Sequence, residues 1–436
     1  MNEPWYNKSV FYQIYPLGAT GAPYENDHQE VNRLLQLEEW IPNLKKLGID
    51  CILLNPVFDS TSHGYDTIDY KKVDPRLGDN ADLSHYVSLC HKKGMRVILD
   101  SVFNHVGREF PPFLDVLKNR EASKYLNWFH IDMNQNNSYD DHLSYLDWEG
   151  NSNLVKLNLK NPEVKNYLFD VVKFWVDTFD IDGLRLDVAY CLDPDFLKEL
   201  HTFAKSLKPD FFLLGETLHG DYNQWINEQM LDSCTNYECY KGLYSSFNTR
   251  NFFEILYSFN RQFGNEQWCL YKGKHLFNFV DNHDVERIAS ILDVKANLPL
   301  IYTMLFTMPG IPCLYYGSEW GIEGKKGNMD RDIRPNIESL KWNALTDRIQ
   351  KLIEIHHDHS ALIDGDYSQI ALTNTACIYQ RKNAEETIWC CINLDENPVD
   401  LPVNVDQNME ELLSNEKEKI ENTVHLGPQS AKVLLF

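Results

Sequence analysis

Short apolar runs rich in β-branched and aromatic residues alternate along most of the chain with stretches in which apolar residues recur at helical spacing. This alternation is typical of βα units wound around a parallel sheet. Eight runs have the length and composition of strands, at residues 10–15, 51–54, 96–100, 183–187, 212–214, 234–237, 276–279 and 313–316. Eight such units predict a (β/α)8 barrel, whose chemistry lies at the C-terminal ends of its strands.

Two regions depart from this alternation. Residues 104–158 are polar, rich in Asn and Asp, and too long for a simple βα loop, which predicts a small inserted subdomain after the third strand. From residue 361 short alternating runs replace the helical pattern and predict a C-terminal antiparallel β-sandwich. We therefore expect a barrel of residues 1–103 and 159–360, an insertion of residues 104–158 and a β domain of residues 361–436.

Two segments are each compatible with more than one structure. The apolar segment 298–317 is interrupted by Pro299, Pro309 and Pro312, so a helix that leads into a buried strand is favoured over a membrane span. The charged run 410–421 predicts a solvated loop or an exposed helix face.

Charge and cysteine usage restrict the partners and the compartment. The chain has 41 Lys and Arg against 64 Asp and Glu, a formal net charge of -23, so it lacks the basic surface that nucleic acids and anionic membranes require. We expect neither as a partner. The ten cysteines are scattered and form no CxxC pair, which favours free thiols, and the N-terminus lacks the pattern of a secretory signal. These features together predict a cytoplasmic protein.

Charged residues follow four of the predicted strands. They lie in Asp100-Ser-Val-Phe-Asn104-His105, in Arg185-Leu-Asp187, in Glu216-Thr217, and in Asp281-Asn282-His283-Asp284. A single carboxylate after a strand is usually the N-cap of the next helix. Several at the strand ends of one barrel indicate an active site, because those ends converge on one cavity.

Carboxylates arranged in this way suit the cleavage of a glycosidic bond, which needs a nucleophile and a proton donor. Arg185 precedes Asp187 by two residues and faces the same side of the strand, so it is expected to keep Asp187 ionised as the nucleophile. Glu216 follows an apolar run, and partial desolvation would raise its pKa as an acid catalyst requires. Asp284, with His283 beside it, is expected to hold sugar hydroxyls.

The four segments resemble the signature regions of the α-amylase family of glycoside hydrolases, and Val155-Lys-Leu-Asn158 resembles a fifth motif of that family. The resemblance covers nearly the whole chain. It implies that Asp187 is the nucleophile, Glu216 the acid/base and Asp284 the transition-state stabiliser, with no cofactor required. It further implies substrate-binding or supporting positions for Tyr65, Asp100, His105, Arg185, His283, Asp330 and Arg334. Tyr65 would stack under the sugar at the cleaved position, and Asp330 with Arg334 would grip the next sugar outward.

The residues after the nucleophile, Val188-Ala-Tyr190-Cys191, are closer to the neopullulanase, cyclomaltodextrinase and maltogenic amylase group than to long-chain α-amylases. That group acts on short maltodextrins, cyclodextrins and pullulan. The chain starts at the barrel, so we do not expect dimerisation through the N-terminal domain of that group. Asn104 matches a calcium-ligand position of the family, but Cys191 replaces the histidine that usually supplies a carbonyl. Calcium therefore stays open as a candidate ion.

The sequence thus predicts a retaining glycoside hydrolase that cleaves α-1,4 bonds of maltooligosaccharides. Two alternatives stay open. One is an α-glucan transglycosylase or a glucosidase of the same family directed to α-1,6 bonds or sucrose. The other is a non-catalytic relative that binds sugars or serves a transporter, although that role would not require all three carboxylates.

Overall fold

A computed structural model describes residues 3–327 and 330–436. Within these residues, eight parallel strands form one sheet in the order β6-β5-β4-β3-β2-β1-β8-β7, and a bridge between Thr235 and Phe277 joins its two ends. The strands are β1 Phe11–Ile14, β2 Cys51–Leu54, β3 Arg96–Ser101, β4 Gly183–Leu186, β5 Phe212–Gly215, β6 Ser233–Cys234, β7 Phe277–Asn278 and β8 Ile311–Tyr315. The predicted (β/α)8 barrel is confirmed.

Most of the helices surround this sheet. Their bounds are Pro16–Ala19, Leu34–Glu38, Ile41–Leu47, Asn80–Lys92, Pro111–Asn119, Pro162–Phe179, Pro194–Leu207, Tyr237–Thr249, Phe252–Phe263, Ile288–Ile291, Leu298–Thr307, Ala344–Asp358 and Ser360–Asp364. The longest shows why the sequence forms them: Asn161 caps its first turn, Pro162 occupies the first helical position, and Asp180 ends it in the left-handed conformation. Its buried stripe, which includes Leu168 and Trp175, packs on the barrel.

Alternation along each strand separates the inside of the barrel from its outer shell. On β1, Tyr12 and Ile14 pack outward among the helices, while Phe11 belongs to the inner cluster. That inner cluster also contains Leu53, Ile98 and Phe212, so apolar side chains fill the barrel below the strand ends.

The segment after β3 contains a helix and several short strands. Strand Asn151–Lys156 pairs antiparallel with His105–Gly107 and with Asp147–Trp148, and strands Ile131–Asp132 and Ser144–Tyr145 form a second pair. A further hairpin, Phe58–Ser60 with Thr67–Val73, follows β2. Both additions start at the carboxyl ends of barrel strands, so they extend the walls around the site.

The C-terminal strands form a six-stranded antiparallel sheet in the order β9-β10-β11-β14-β12-β13. Its strands are β9 Asp366–Leu372, β10 Ala376–Lys382, β11 Thr387–Asn393, β12 Val399–Glu411, β13 Glu416–Leu426 and β14 Ser430–Leu435. The expectation of a loop or helix for residues 410–421 is wrong, because they form the end of the β12–β13 hairpin. Ile420 is buried while the charged side chains beside it alternate toward solvent, and Lys417 pairs across the hairpin with Glu410.

The apolar segment after residue 298 is a helix, Leu298–Thr307, followed by buried β8, as the proline positions predicted. Nowhere in the described residues is a helix both long and apolar enough to cross a membrane. All ten cysteines are free thiols.

Candidate active site

A cleft of about 510 Å³ lies at the carboxyl ends of the barrel strands. Seven of the ten site residues predicted from the sequence line it: Tyr65, His105, Asp187, Glu216, Asp284, Asp330 and Arg334. The remaining three, Asp100, Arg185 and His283, lie directly behind them and contact them. The structure therefore brings all ten together. Trp148, Asn151 and Asn153, from the segment after β3, also line the cleft.

Arg185 is the centre of the charged network. Its Nη1 lies 2.8 Å and 2.9 Å from the two carboxylate oxygens of Asp100 and 2.9 Å from Oδ1 of Asp187. Its Nη2 lies 3.0 Å from Oε2 of Glu216. One buried guanidinium thus serves three carboxylates on three neighbouring strands, whereas the sequence indicated a contact with Asp187 alone. The parallel register of β3, β4 and β5 produces this convergence.

Burial raises the pKa of Asp187 well above its ordinary value, and the carboxylates of Glu216, Asp100 and Asp284 add to the rise against the opposing charge of Arg185. Burial likewise raises the pKa of Glu216. Arg185 favours the ionised form of Asp187, as expected from its position, but burial outweighs its effect on the pKa. Two interacting carboxyls with raised pKa values bind and release protons as a pair.

Val188, the residue after Asp187, adopts a left-handed conformation with φ 41° and ψ 48°. This is a costly conformation for a β-branched residue. It directs the Val188 N–H to Oε2 of Glu216 at 2.9 Å. Both contacts of Glu216 therefore use Oε2, which leaves Oε1 as the oxygen available to carry a proton. The sequence contained no signal for this bond.

Tyr65 is held by hydrogen bonds on its hydroxyl. The hydroxyl donates to Oδ2 of Asp100 at 2.9 Å and also contacts Nε2 of His283, whose ring stacks on the tyrosine with centroids 5.7 Å apart. Gln13 donates to Nδ1 of His283 at 2.8 Å, and Asn55 donates to Oδ2 of Asp100 at 3.0 Å. Sequence reasoning missed Gln13 and Asn55, although both continue the inward alternation of β1 and β2.

Asp284 lies between two basic groups. Its Oδ2 is 2.9 Å from Nε2 of His283, and its Oδ1 is 2.9 Å from Nη2 of Arg334. Burial alone would raise the pKa of Asp284, but these two neighbours bring it well below the ordinary value. Arg334 also lies 3.0 Å from Asp330 and donates to the His283 carbonyl at 2.8 Å. The pair expected to grip an outer sugar is thus joined to Asp284.

His105 is neutral, because burial lowers its pKa to about 3. Its Nδ1 faces Nδ2 of Asn104 at 3.1 Å, and its ring lies 5.8 Å from that of Trp148.

The Asn104 Oδ1 is buried without a hydrogen-bond partner among the described residues, as a metal ligand would be. However, no group of three or more His, Cys, Asp or Glu side chains in residues 3–327 and 330–436 is arranged to hold a metal. A single amide oxygen does not make a calcium site.

The family described as "Alpha amylase, catalytic domain" matches residues 26–360 of the chain. This chain belongs to the α-amylase family. It is therefore a glycoside hydrolase by family, and the resemblance drawn from its motifs is confirmed.

Several members of the α-amylase family are similar along most of the chain. A maltogenic α-amylase of Bacillus acidopullulyticus is 33% identical over an alignment of 470 positions, which covers 99% of this chain and 78% of that protein. An intracellular maltogenic amylase of Bacillus subtilis is 33% identical over 383 residues, which cover 82% of this chain and 63% of that protein. The structure of a cyclomaltodextrinase superimposes with a TM-score of 0.87 at 29% identity, covering 100% of this chain and 79% of that one.

Proposed function

We propose that this enzyme hydrolyses α-1,4-glucosidic bonds of maltooligosaccharides and cyclodextrins and retains the α configuration. The observation that carries the proposal is the cluster of Asp100, Asp187 and Glu216 around Arg185, beside the Tyr65 ring. The names of the relatives, a maltogenic amylase and a cyclomaltodextrinase, support short and cyclic α-glucans as substrates.

In the first step, Asp187 attacks the anomeric carbon of the sugar that stacks on Tyr65. Glu216 donates its proton to the glycosidic oxygen, the bond to the leaving sugar breaks, and a covalent glycosyl ester forms on Asp187. Asp187 must be ionised for this attack. We assign the proton of the coupled pair to Oε1 of Glu216, because Arg185 and the Val188 amide both stabilise the opposite oxygen.

In the second step, Glu216 removes a proton from water as that water attacks the anomeric carbon. The ester bond to Asp187 breaks, the sugar leaves with its α configuration, and Glu216 is protonated again. Two inversions thus give net retention. Asp284 stays ionised because His283 and Arg334 hold its pKa low, so it can bind sugar hydroxyls and stabilise the positive charge that develops on the ring.

The roles of the three regions follow from the same proposal. Residues 1–103 and 159–360 would form the catalytic barrel, residues 104–158 a subdomain that closes one side of the cleft, and residues 361–436 the C-terminal β domain.

The proposed substrate is a neutral glucan, so its binding does not depend on the protein's net charge of -23. Free cysteines and the similarity to an intracellular amylase support action in the cytoplasm. Calcium stays open as a candidate ion at Asn104, and the two steps above use only side chains of this chain.

A time course with maltotriose to maltoheptaose, β-cyclodextrin and pullulan tests this function. We expect shorter maltooligosaccharides from the linear and cyclic α-1,4 substrates, and proton NMR of the first minutes should show the α anomer before mutarotation. Products longer than the substrate would instead support transglycosylation. A β anomer would overturn the double displacement, and the absence of any cleavage would overturn the function.

A further inference from the structure

A fully buried arginine, Arg287, connects the loop after β7 to the loop after β8. Its guanidinium donates from Nη1 to the Tyr316 carbonyl at 2.6 Å and from Nε to the Ile333 carbonyl at 3.1 Å. Tyr316 directly follows β8, and Ile333 directly precedes Arg334. One side chain therefore holds both the beginning of this loop and the turn that delivers Arg334 to the cleft. Arg287 itself does not line the cleft.

The surroundings of Arg287 compensate its charge only in part. Its guanidinium lies 3.9 Å from the centroid of the Tyr315 ring, and Nη1 also donates to Oγ of Ser318 at 3.2 Å. That hydroxyl donates to Oδ2 of Asp281 at 2.8 Å, so a carboxylate balances the arginine through one hydroxyl. Nη2 is buried without a partner among the described residues. Because burying such a group costs free energy, we interpret its bonds to the two carbonyls as fixing one particular loop geometry.

The turn that Arg287 holds leads directly to the charged side of the cleft. The Arg334 N–H donates to the Asp330 carbonyl at 3.1 Å, and the Ile333 carbonyl bound by Arg287 lies within this turn. Arg334 in turn contacts Asp284, three residues before Arg287 in the chain. The contacts thus close a ring between the two loops, with Arg287 behind the cleft and Arg334 at its surface.

We propose that Arg287 is a positioning residue for the reaction and that it acts through Arg334. By holding the Ile333 carbonyl, it keeps the Arg334 guanidinium in place for Asp284 and for the substrate. Without this bond the turn moves and substrate binding weakens, whereas the nucleophile and the acid/base stay in place because Arg287 contacts neither. This inference rests on the proposed function.

Arg287→Lys keeps the positive charge, but an ammonium group cannot reproduce the planar guanidinium that donates to two carbonyls at once. We expect KM for maltotriose to rise about fivefold and kcat to stay within about twofold of the wild type. Arg381→Lys is the matched control, because Arg381 is also buried and donates to main-chain carbonyls, those of Gly365 and Thr307, where the C-terminal sheet meets the barrel. It should lower the unfolding temperature without changing KM.

Gly324→Ala disturbs the same turn and leaves the Arg287 side chain intact. A Cβ at position 324 would overlap the Asp332 carbonyl oxygen, so the backbone next to Ile333 must move. We expect KM to rise about threefold with kcat nearly unchanged, even if Arg287→Lys folds poorly. Gly427→Ala, whose Cβ would meet Oγ of Ser430 at an ordinary 3.6 Å, is the control and should leave KM unchanged.

A double substitution tests whether Arg287 acts through Arg334. If it does, adding Arg287→Lys to the Arg334→Lys enzyme should raise KM by less than about twofold further. Losses that multiply independently would overturn the inference. So would an unchanged KM in folded Arg287→Lys or, where that variant does not fold, in Gly324→Ala, or a rise in KM that Arg381→Lys shares. Failure of the wild-type enzyme to cleave maltotriose is recognised separately, because it would contradict the proposed function on which this inference depends.

Discussion

The two ends of the barrel interior differ sharply although the same strands build both. At the base, Phe11 packs against Phe277 and Phe212 with ring centroids 5.1 Å and 5.6 Å apart, and Tyr6 stacks on Phe212 at 4.5 Å. At the carboxyl end the interior holds Arg185 and its carboxylates, all nearly inaccessible to solvent. Aromatic packing fills the first region, and charge occupies the second.

The difference separates stability from chemistry along single strands. On β5, Phe212 faces the base, and the residue four positions later on the same face is Glu216. Burying apolar rings stabilises the fold, while burying several carboxylates around one guanidinium costs free energy that packing elsewhere must offset. We therefore expect substitutions at the two ends to affect different measurements.

The largest effect should come from the nucleophile. Asp187→Asn keeps the shape of the side chain but removes the attacking charge, so we expect kcat for maltotriose to fall by about 10⁵-fold. The unfolding temperature should stay the same or rise, because one buried negative charge is removed. Steady-state kinetics and calorimetry check both outcomes.

Asp140→Asn is the matched control, since this aspartate of the insertion is 79% exposed on its side chain and should leave both quantities unchanged. A purified Asp187→Asn enzyme that kept more than a hundredth of the wild-type kcat would contradict the assignment of the nucleophile.

At the base of the barrel, a substitution should lower the stability of the fold and leave kcat nearly unchanged. Phe212→Ala removes a fully buried ring that contacts Tyr6 and Phe11, so the free energy of unfolding should fall by about 3–5 kcal/mol. Phe212→Leu should lose less, because it fills more of the space. Chemical denaturation gives the stability, and active-site titration gives kcat per folded molecule, which should stay within about twofold of the wild type. A large loss of kcat in folded Phe212→Leu would show that the two ends are coupled.

Some features of the fold and of the site could be predicted from the sequence, and others could not. Strand and helix periodicity was enough for the barrel, and four motifs at the ends of apolar strands contain seven of the ten site residues. Tyr65, Asp330 and Arg334 lie outside those motifs, and the family resemblance alone indicated them. The sharing of Arg185 among three carboxylates depends on the register between strands, which periodicity does not contain. The Val188 conformation is a tertiary constraint on a residue that favours β structure. The charged hairpin was mispredicted because its few inward residues, such as Ile420, are diluted by lysine and glutamate.

Glu319 tests whether a buried charge near the strand ends destabilises the fold outside the cleft. It accepts a hydrogen bond from Tyr12 at 2.8 Å, and burial raises its pKa from 4.5 to about 7. The folded protein therefore holds a proton that the unfolded chain releases between these values. The stability that this proton provides is complete below pH 4.5 and is lost as pH rises through 7, a total of roughly 3 kcal/mol.

Glu319→Gln cannot titrate, so its free energy of unfolding should fall less steeply than that of the wild type between pH 5 and pH 7. Urea denaturation across that range measures the two slopes. Glu323→Gln, whose side chain is 59% exposed in the same loop, is the control. Parallel slopes for Glu319→Gln and the wild type would show that this carboxyl is not the source of the pH dependence.

The smallest effect is expected from a substitution of Arg334, which lies between the charged end of the barrel and the substrate. Arg334→Lys keeps a positive charge near Asp284 but cannot contact Asp284, Asp330 and the His283 carbonyl together, as the guanidinium does. We expect kcat/KM for maltotriose to fall about tenfold, mainly through KM. The pKa of Asp284 should also rise toward its ordinary value, so the acid side of the pH profile should move to higher pH. Arg250→Lys, in a surface ion pair with Asp395, should change neither quantity. A shift of the acid side without a rise in KM would mean that Arg334 acts on the charge of Asp284 rather than on the outer sugar.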